Sequence, residues 1–348
     1  MNVKTPLKVG FAGYGVVGKR RREIVDRRDD MWAAAVSDVT LGGDGKFDDG
    51  TRYYDDFLRL ADEDLDVLFV CLPNDIAPEA TIMGLESGFH VFCEKPPGRD
   101  LADVTRVMAC ESRHPGCKLK YGFNHRYHDS VRDALDLIVS GEFGRMVNLR
   151  GVYGKSMLIS YGQTTWRTQR DLSGGGILLD QGIHMVDLMR LFAGEFTDIH
   201  SFVRNDYWNQ DVEDNAYALM RTTDGVIGML HSSATQWRHR FNLEITMEKG
   251  SLTLSGILSG SKSYGAETLT VAWAGDDRGD PPEKTTRYNA DNSWRDEIED
   301  FVDAILGDKP ITVGSSEDAF QTMELVYRIY CADPEWRDRW QLTHKVSE

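Results

Sequence analysis

The 348-residue chain has no stretch that approaches the roughly 18 consecutive apolar residues a helix needs to cross a bilayer. Its first residues also lack the basic-then-apolar pattern of a secretory signal, so no membrane partner is expected and the cytoplasm is the expected address. Cysteine is sparse. Five residues (Cys71, Cys93, Cys110, Cys117 and Cys331) make an odd count with no CxxC pair and no metal-ligand spacing. They read as reduced thiols rather than a disulfide framework, and Cys71 and Cys93, which lie in apolar runs, read as small buried hydrophobes. Positive charge is in short supply too: 40 basic against 56 acidic residues gives a net charge of −16, which repels a polyphosphate backbone instead of releasing its counterions. Nucleic acid is a poor partner. No internal repeat is visible. No paired carboxylates, His/Cys cluster or serine nucleophile stands in a supporting context, so metal-dependent and acyl-transfer mechanisms have no warrant and no metal is expected.

An ordinary globular chain remains, with 41% apolar and 28% charged residues and a length suited to two domains of roughly 100 to 200 residues each. From Leu7 the run LKVGFAGYG is β-prone and breaks into glycines, and a helical segment follows from about Val17 to Arg28. The basic cluster Lys19, Arg20, Arg21 and Arg22 covers every face of that helix and reads as a solvated helix start rather than a phosphate site. Met31 to Val36, Val67 to Leu72, His90 to Cys93 and Leu119 to Phe123 read as further strands, with helices at Tyr54 to Ala61, Ile76 to Ser87 and Leu101 to Cys110. Uninterrupted apolar strands separated by helices predict a doubly wound parallel sheet over residues 1–123. After Asn124 the rhythm changes. A helix at Val131 to Ser140 precedes alternating runs at Met146 to Val152, Ala216 to Thr222, Gly225 to Ser232 and Phe241 to Met247, with a buried helix in Gly174 to Phe192 and an exposed hairpin or loop at Gly275 to Lys284. The fold class is therefore α/β. An N-terminal Rossmann sheet is followed by an α+β domain over 124–348 with a large open, mostly antiparallel sheet, and the last helix is a candidate to pack back on the first domain.

Three groups of residues carry chemistry. Gly13, Gly15 and Gly18 form GxGxxG after the first strand: Gly13 for the tight turn, Gly15 for close approach of a pyrophosphate, Gly18 for helix-strand packing. Val16 and Val17 open the helix whose N-terminus faces the anion. Asp38 ends the second strand and can accept from ribose hydroxyls. A carboxylate there repels a 2'-phosphate, and Val39 and Thr40 bring no arginine, so NAD is preferred over NADP. Glu94, Lys95 and Pro96 follow the strand ending at Cys93, at the carboxyl edge where open α/β sheets bind ligands; the lysine ammonium can hydrogen-bond a substrate hydroxyl. Pro96 and Pro97 are candidates for a cis peptide. Asp180 and His184 lie four apart on the predicted buried helix, so a group that titrates near neutrality shares a face with a carboxylate that can orient it or hold a substrate hydroxyl. Asp187 continues the row and reads as structural. Trp166, Trp208 and Trp237 read as packing or interface residues, His125 and His128 as caps of the following helix, and His231 as structural.

The glycine fingerprint, Pro73-Asn74, Glu94-Lys95-Pro96, the segment Gly122 to Arg126 and SGGGILLDQGIHMVD (Ser173 to Asp187) together resemble the Gfo/Idh/MocA oxidoreductases in order and spacing, and the tail Glu317 to Trp340 resembles that family's closing helix. The resemblance implies NAD(P)-dependent dehydrogenation or reduction of a sugar, an inositol or a nucleotide-linked sugar. It implies Lys95, Asp180 and His184 as the catalytic set, Leu72, Pro73, Asn74 and Glu94 beside the cofactor, and Asn124, Arg126, Tyr153, Lys155, Trp166 and Arg167 around the substrate. The sequence departs from the pattern at Ala77, where the family often has histidine. Two alternatives stay open: a redox-neutral hydrolase or lyase that retains its cofactor, and a non-catalytic nucleotide-binding regulator. A homodimer or homotetramer through the C-terminal sheet is expected.

Overall fold

The computed structural model describes residues 6–156, 165–259, 264–275 and 279–345. The chain folds as two units, Met1–Phe123 with Trp294–Gln321, and Asn124–Ser293 with Thr322–Glu348.

The first unit is built on β1 (Leu7–Ala12), α1 (Val16–Val25), β2 (Met31–Ser37), β3 (Gly45–Lys46), β4 (Arg52–Tyr54), β5 (Val67–Val70), α2 (Ala77–Glu86), β6 (His90–Glu94), α3 (Leu101–Glu111) and β7 (Leu119–Gly122). Its strands run in the order β3-β4-β2-β1-β5-β6-β7. All neighbours are parallel except the β3-β4 pair. Every residue of β5 is buried, which explains its unbroken VLFV run: a parallel strand covered on both faces has no polar side to show. The order reverses at β1, whose neighbours are β2 and β5, so the carboxyl ends of β1 and β5 form a topological switch point. The predicted helix at Tyr54 to Ala61 is instead the end of β4 followed by a 3₁₀ turn, Phe57–Asp62. Asp56 caps that turn by accepting from the Leu58 amide at 2.9 Å.

The second unit comprises α4 (Asp129–Val139), β8 (Met146–Ser156), α5 (Arg170–Ser173), a π turn (Leu178–Gly182), α6 (Ile183–Ala193), β9 (Phe196–Arg204), β10 (Asn215–Thr222), β11 (Ile227–Gln236), β12 (Arg240–Met247), β13 (Gly250–Ser255), β14 (Glu267–Trp273) and β15 (Glu283–Tyr288). Its sheet runs β15-β14-β13-β12-β8-β11-β10-β9, antiparallel except where β8 meets β11. On β10, Ala216, Ala218 and Met220 are buried while Tyr217, Leu219 and Arg221 point outward, the alternation of a sheet with one open face. α6 packs on the inner face, where Met185 and Met189 lie over the space left by Gly151 of β8. β14 and β15 pair antiparallel, Ala272 opposite Glu283, so Glu283 and Lys284 of the polar segment 275–284 belong to β15, while residues 276–278 lie outside the described residues.

Three helices close the chain: α7 (Ser293–Leu306), α8 (Ser316–Ala332) and α9 (Pro334–Trp340). The segment that returns to the first unit is Trp294–Gln321, not the last helix. The reason is the apolar stripe Ile298, Phe301, Val302 and Ile305, fully buried in one cluster with Phe11, Phe69 and Phe92. α9 stays with the second unit, where the carboxylate of its capping residue Asp333 accepts from the amides of Trp336 and Val203. Among the described residues, no helix is long and apolar enough to cross a membrane.

Candidate active site

In the first unit, β1 ends in a glycine loop that opens α1, with Gly15 as its N-cap. Gly13 has φ +92°, and a Cβ there would lie 2.4 Å from the Cys71 carbonyl oxygen; a Cβ on Gly18 would lie 2.1 Å from the carbonyl oxygen of Gly13. Neither position accepts a side chain. A Cβ on Gly15, by contrast, meets nothing within 4 Å, so the backbone at the amino end of α1 is open to a ligand, with Val16 exposed and Val17 partly buried beside it. One oxygen of Asp38 accepts from the Tyr14 amide at 2.8 Å, inside the glycine loop, and the other accepts from the Thr40 amide (3.0 Å) and hydroxyl (2.6 Å). Burial alone would raise its pKa. The Thr40 and Tyr14 hydrogen bonds, helped by nearby Lys19, hold it below the ordinary value, so an ionised acceptor stands beside the loop. Leu72 and Pro73 follow β5 partly buried, and Asn74 is buried. The cradle therefore fits a dinucleotide: a bare backbone where a pyrophosphate approaches and a carboxylate where ribose hydroxyls end.

β6 delivers Glu94 and Lys95, and the Lys95-Pro96 peptide is cis. Here the basic cluster departs from the sequence reading. Arg21 is completely buried and Arg22 nearly so, whereas a solvated helix was expected. The Arg21 guanidinium lies over Phe92 (4.4 Å) and Trp294 (4.3 Å), donates from Nε to Glu94 Oε1 at 2.7 Å and from Nη2 to Glu297 Oε2 at 2.8 Å. Two carboxylates thus share one guanidinium, and Glu94 is tied to the core of this unit. Arg22 bonds Thr51 (2.9 Å) and Asp49 and faces Tyr14.

In the second unit, the segment Ser173–His184 threads a narrow path. A Cβ on Gly176 would lie 2.1 Å from the Glu213 carbonyl oxygen, and the buried Glu213 carboxylate accepts from the Gly176 amide (2.7 Å), the Leu178 amide (2.9 Å) and the Tyr330 hydroxyl (2.6 Å). Glu213 therefore receives the otherwise orphaned amides at the start of the turn. It was not singled out from sequence, because its partners lie far along the chain. The expected continuous helix is a π turn carrying Asp180, passing into α6, which carries His184. π turns are rare and cluster at functional sites. Asp180 is held by Lys155 Nζ at 2.7 Å and Arg167 Nε at 3.4 Å, and Arg167 stacks on Trp166 at 4.3 Å. Two predicted residues, Lys155 and Arg167, thus meet at the carboxylate of a third, and Trp166 backs Arg167.

His184 is buried and stacks face to face on His125, centroids 3.7 Å apart and planes 11° from parallel. Tyr153 lies 3.0 Å from His125 Nε2 through its hydroxyl. Burial pushes the Tyr153 phenol far up, and burial pushes Tyr264, which bonds Gln181, up to about 12. The polar stretch around His125 and His128 predicts caps of the following helix. His128 does occupy the cap position of α4, but its ring turns to Glu267 at 2.8 Å and caps nothing, and His125 is drawn onto His184. Arg126 grips Asp187 through two bonds of 2.8 and 2.6 Å, and buried Asn124 donates to Ser293 Oγ at 3.0 Å, so both side chains serve the fold. Asp187 is structural as expected, and Trp208 packs on Ile177, Val212 and Ala234. Among the described residues, no His/Cys/Asp/Glu group is arranged to hold a metal.

Comparison with known proteins matches residues 7–123 to the NAD-binding Rossmann fold of the GFO/IDH/MocA oxidoreductases and residues 131–253 to the GFO/IDH/MocA C-terminal domain. Similar proteins include D-glucoside 3-dehydrogenase of Escherichia coli, 27% identical over 94% of this chain and 95% of that one. Myo-inositol 2-dehydrogenase of Thermotoga maritima is 25% identical over 92% of this chain and 94% of that one. A levoglucosan dehydrogenase solved in complex with NADH superposes with a TM-score of 0.81 at 20% identity, covering 95% of this chain and 97% of its own, a likeness of fold.

Proposed function

Because the chain belongs to the Gfo/Idh/MocA family of oxidoreductases, we propose that it is a dehydrogenase that uses NAD in preference to NADP and acts on a secondary hydroxyl or ketone of a sugar, an inositol or a nucleotide-linked sugar. The observation that carries the reading is the turn from Gly176 to His184, where a carboxylate and a buried imidazole are set on successive turns by a route no bulkier sequence could follow. NAD, when bound, supplies the hydride acceptor. The chain's residues do the rest. The first unit cradles the dinucleotide with Gly13, Gly15 and Gly18, receives its ribose on Asp38, and supplies Lys95. In the second, His184 takes the hydroxyl proton in oxidation and returns it in reduction, and Asp180, held between Lys155 and Arg167, orients the substrate hydroxyls. Trp166 and Tyr153 shape the pocket. Asn124 and Arg126 support it from behind through Ser293 and Asp187. The preference for NAD rests on Asp38, whose charge opposes a 2'-phosphate.

We also assign assembly as a homodimer or tetramer to the open face of the second unit's sheet, where Phe202, Tyr217, Leu219 and Met229 are exposed on adjacent strands. Five free cysteines are consistent with a cytoplasmic address. The test is a thermal-shift titration with NAD(H) and NADP(H), followed by a sugar, inositol and nucleotide-sugar panel read by NADH absorbance. NAD(H) should raise the melting temperature more than NADP(H), and one substrate class should yield stoichiometric NADH in the wild type and none in His184→Ala. Turnover without NADH yield would instead indicate redox-neutral chemistry, and a monomer by light scattering at micromolar concentration would remove the assembly.

A further inference from the structure

The second unit buries three imidazoles in a row, two more than proton transfer at His184 requires. His184, His125 and His128 are each nearly inaccessible, and a core that needed only volume would hold Leu or Phe there without the desolvation of polar nitrogens. The row is anchored at its far end. His128 meets His125 edge-on at 5.4 Å, and its Nδ1 lies 2.8 Å from Glu267, a carboxylate that also accepts from Ser130 Oγ at 2.6 Å and the Leu258 amide at 3.0 Å. The middle ring is fixed in its own plane. Asn124 Nδ2 donates to Ser293 Oγ, which donates in turn to Asp291, so the amide oxygen of Asn124 is the atom that faces His125 Nδ1 at 3.2 Å. An oxygen there accepts, so Nδ1 carries the proton and Nε2 is left to accept from the Tyr153 hydroxyl at 3.0 Å. Both edges of the His125 ring are used, and its face lies flat on His184.

We propose that His125 is a positioning residue for His184, held in one neutral tautomer by Asn124 and Tyr153 so that its face fixes the plane of the proton-accepting ring. This rests on the reading of His184 as that acceptor. Two consequences follow from the geometry. Rotation of His184 about its Cβ–Cγ bond is blocked, because a ring 3.7 Å away and 11° from parallel leaves no room to turn. The electron-rich face of a neutral imidazole also lies against His184 when it carries a proton, and aromatic faces favour an adjacent cation.

The experiment uses the full-length protein and His125→Leu, His125→Phe, Tyr153→Phe and His184→Ala, with circular dichroism to establish folding. Long-range nitrogen-proton spectra of histidine-labelled protein without ligand should show His125 as the Nδ1-protonated tautomer. The His184 ring signals should broaden or move in His125→Leu and be largely retained in His125→Phe, which keeps the stack. With NAD and the substrate selected by the panel, kcat of His125→Leu should fall about 10- to 100-fold while KM stays within about threefold, because misplacing a reacting group costs rate rather than affinity. His125→Phe should recover part of that loss. The proposal is overturned if folded His125→Leu has unaltered His184 signals and wild-type kcat, or if His125 is found with its proton on Nε2. Should His125→Leu not fold, the tautomer in wild type and the His125→Phe and Tyr153→Phe spectra decide it. Turnover retained in His184→Ala overturns the acceptor reading alone, since the spectra still report whether His125 orders the ring.

Discussion

Removing the Arg21 side chain tests how the first unit is held together. Arg21 is wholly inaccessible, and its guanidinium is the shared partner of Glu297, also wholly inaccessible, and of Glu94, whose side chain is 13% exposed. Arg21→Met keeps a long apolar stem between Phe92 and Trp294 but strands two carboxylates. Breaking a buried ion pair from one side costs roughly 3–5 kcal/mol. For a unit of this size each kcal/mol lowers Tm by about 2–4 °C, so the expected drop is about 6–20 °C. The pH dependence sharpens the test. Burial, opposed by the charge of Arg21 and reinforced by Glu94, raises the Glu297 carboxyl to about 7. Between its ordinary value of 4.5 and about 7 the folded chain holds a proton that the unfolded chain has lost, so stability falls as pH rises across that window, by at most about 1.4 kcal/mol per pH unit. Without Arg21 the ionised form loses its counter-charge, and the Tm deficit of Arg21→Met should be larger at about pH 8 than at about pH 5.5. Glu297→Gln should flatten the wild-type slope and recover part of the deficit in the Arg21→Met background. Thermal melts of the four proteins at the two pH values measure all of this. A deficit below about 2 °C at both pH values, or one that grows toward acid, refutes the argument.

Three further outcomes follow from single contacts. Gly18→Ala should abolish the NAD(H) thermal shift and lower Tm, since its Cβ would lie 2.1 Å from a backbone oxygen that cannot retreat without opening the glycine loop. Asp38→Ala should narrow the NAD over NADP preference at least tenfold in kcat/KM and cost about 0.5–2 kcal/mol of stability, the value of a lost cap, because Asp38 also caps the 3₁₀ turn Val39–Leu41. Glu213→Ala removes the acceptor of two amides and a tyrosine hydroxyl; its kcat should collapse with Asp180 and His184 both present, and a wild-type kcat would show that the π turn does not need this support.

Much of this was visible in the sequence where the cause is local. The glycine fingerprint can be read because each glycine answers a constraint within one turn, and β5 can be read because a doubly covered strand must be apolar throughout. Asp180 and His184 were found from their spacing, although the spacing implied an α-helix and the chain makes a π turn: at about four residues per turn both geometries bring the two side chains to neighbouring directions, so the pattern cannot separate them. Strands β13, β14 and β15 escaped because the polar residues spread through them, threonine above all, in runs of six or seven residues resemble loop.

The larger misreadings share one physical origin, which is that a charge is judged from the sequence by its neighbours, whereas burial is decided by partners far away. Arg21 sits among three other cations and looks solvated, yet it bonds Glu94 and Glu297, 73 and 276 positions on. His125 lies in a polar run and looks like a cap, yet it is taken up by Tyr153, 28 positions on, and by His184. In both cases the distant partner belongs to, or adjoins, a motif that the sequence singles out: Glu94 precedes Lys95, and His184 follows Asp180 by four residues. A polar side chain can be buried where other polar groups are already fixed, and a reacting group must be fixed, so the interior around it is where charges and imidazoles find the partners that burial requires. The residues whose burial the sequence could not announce are therefore those that hold the announced ones in place.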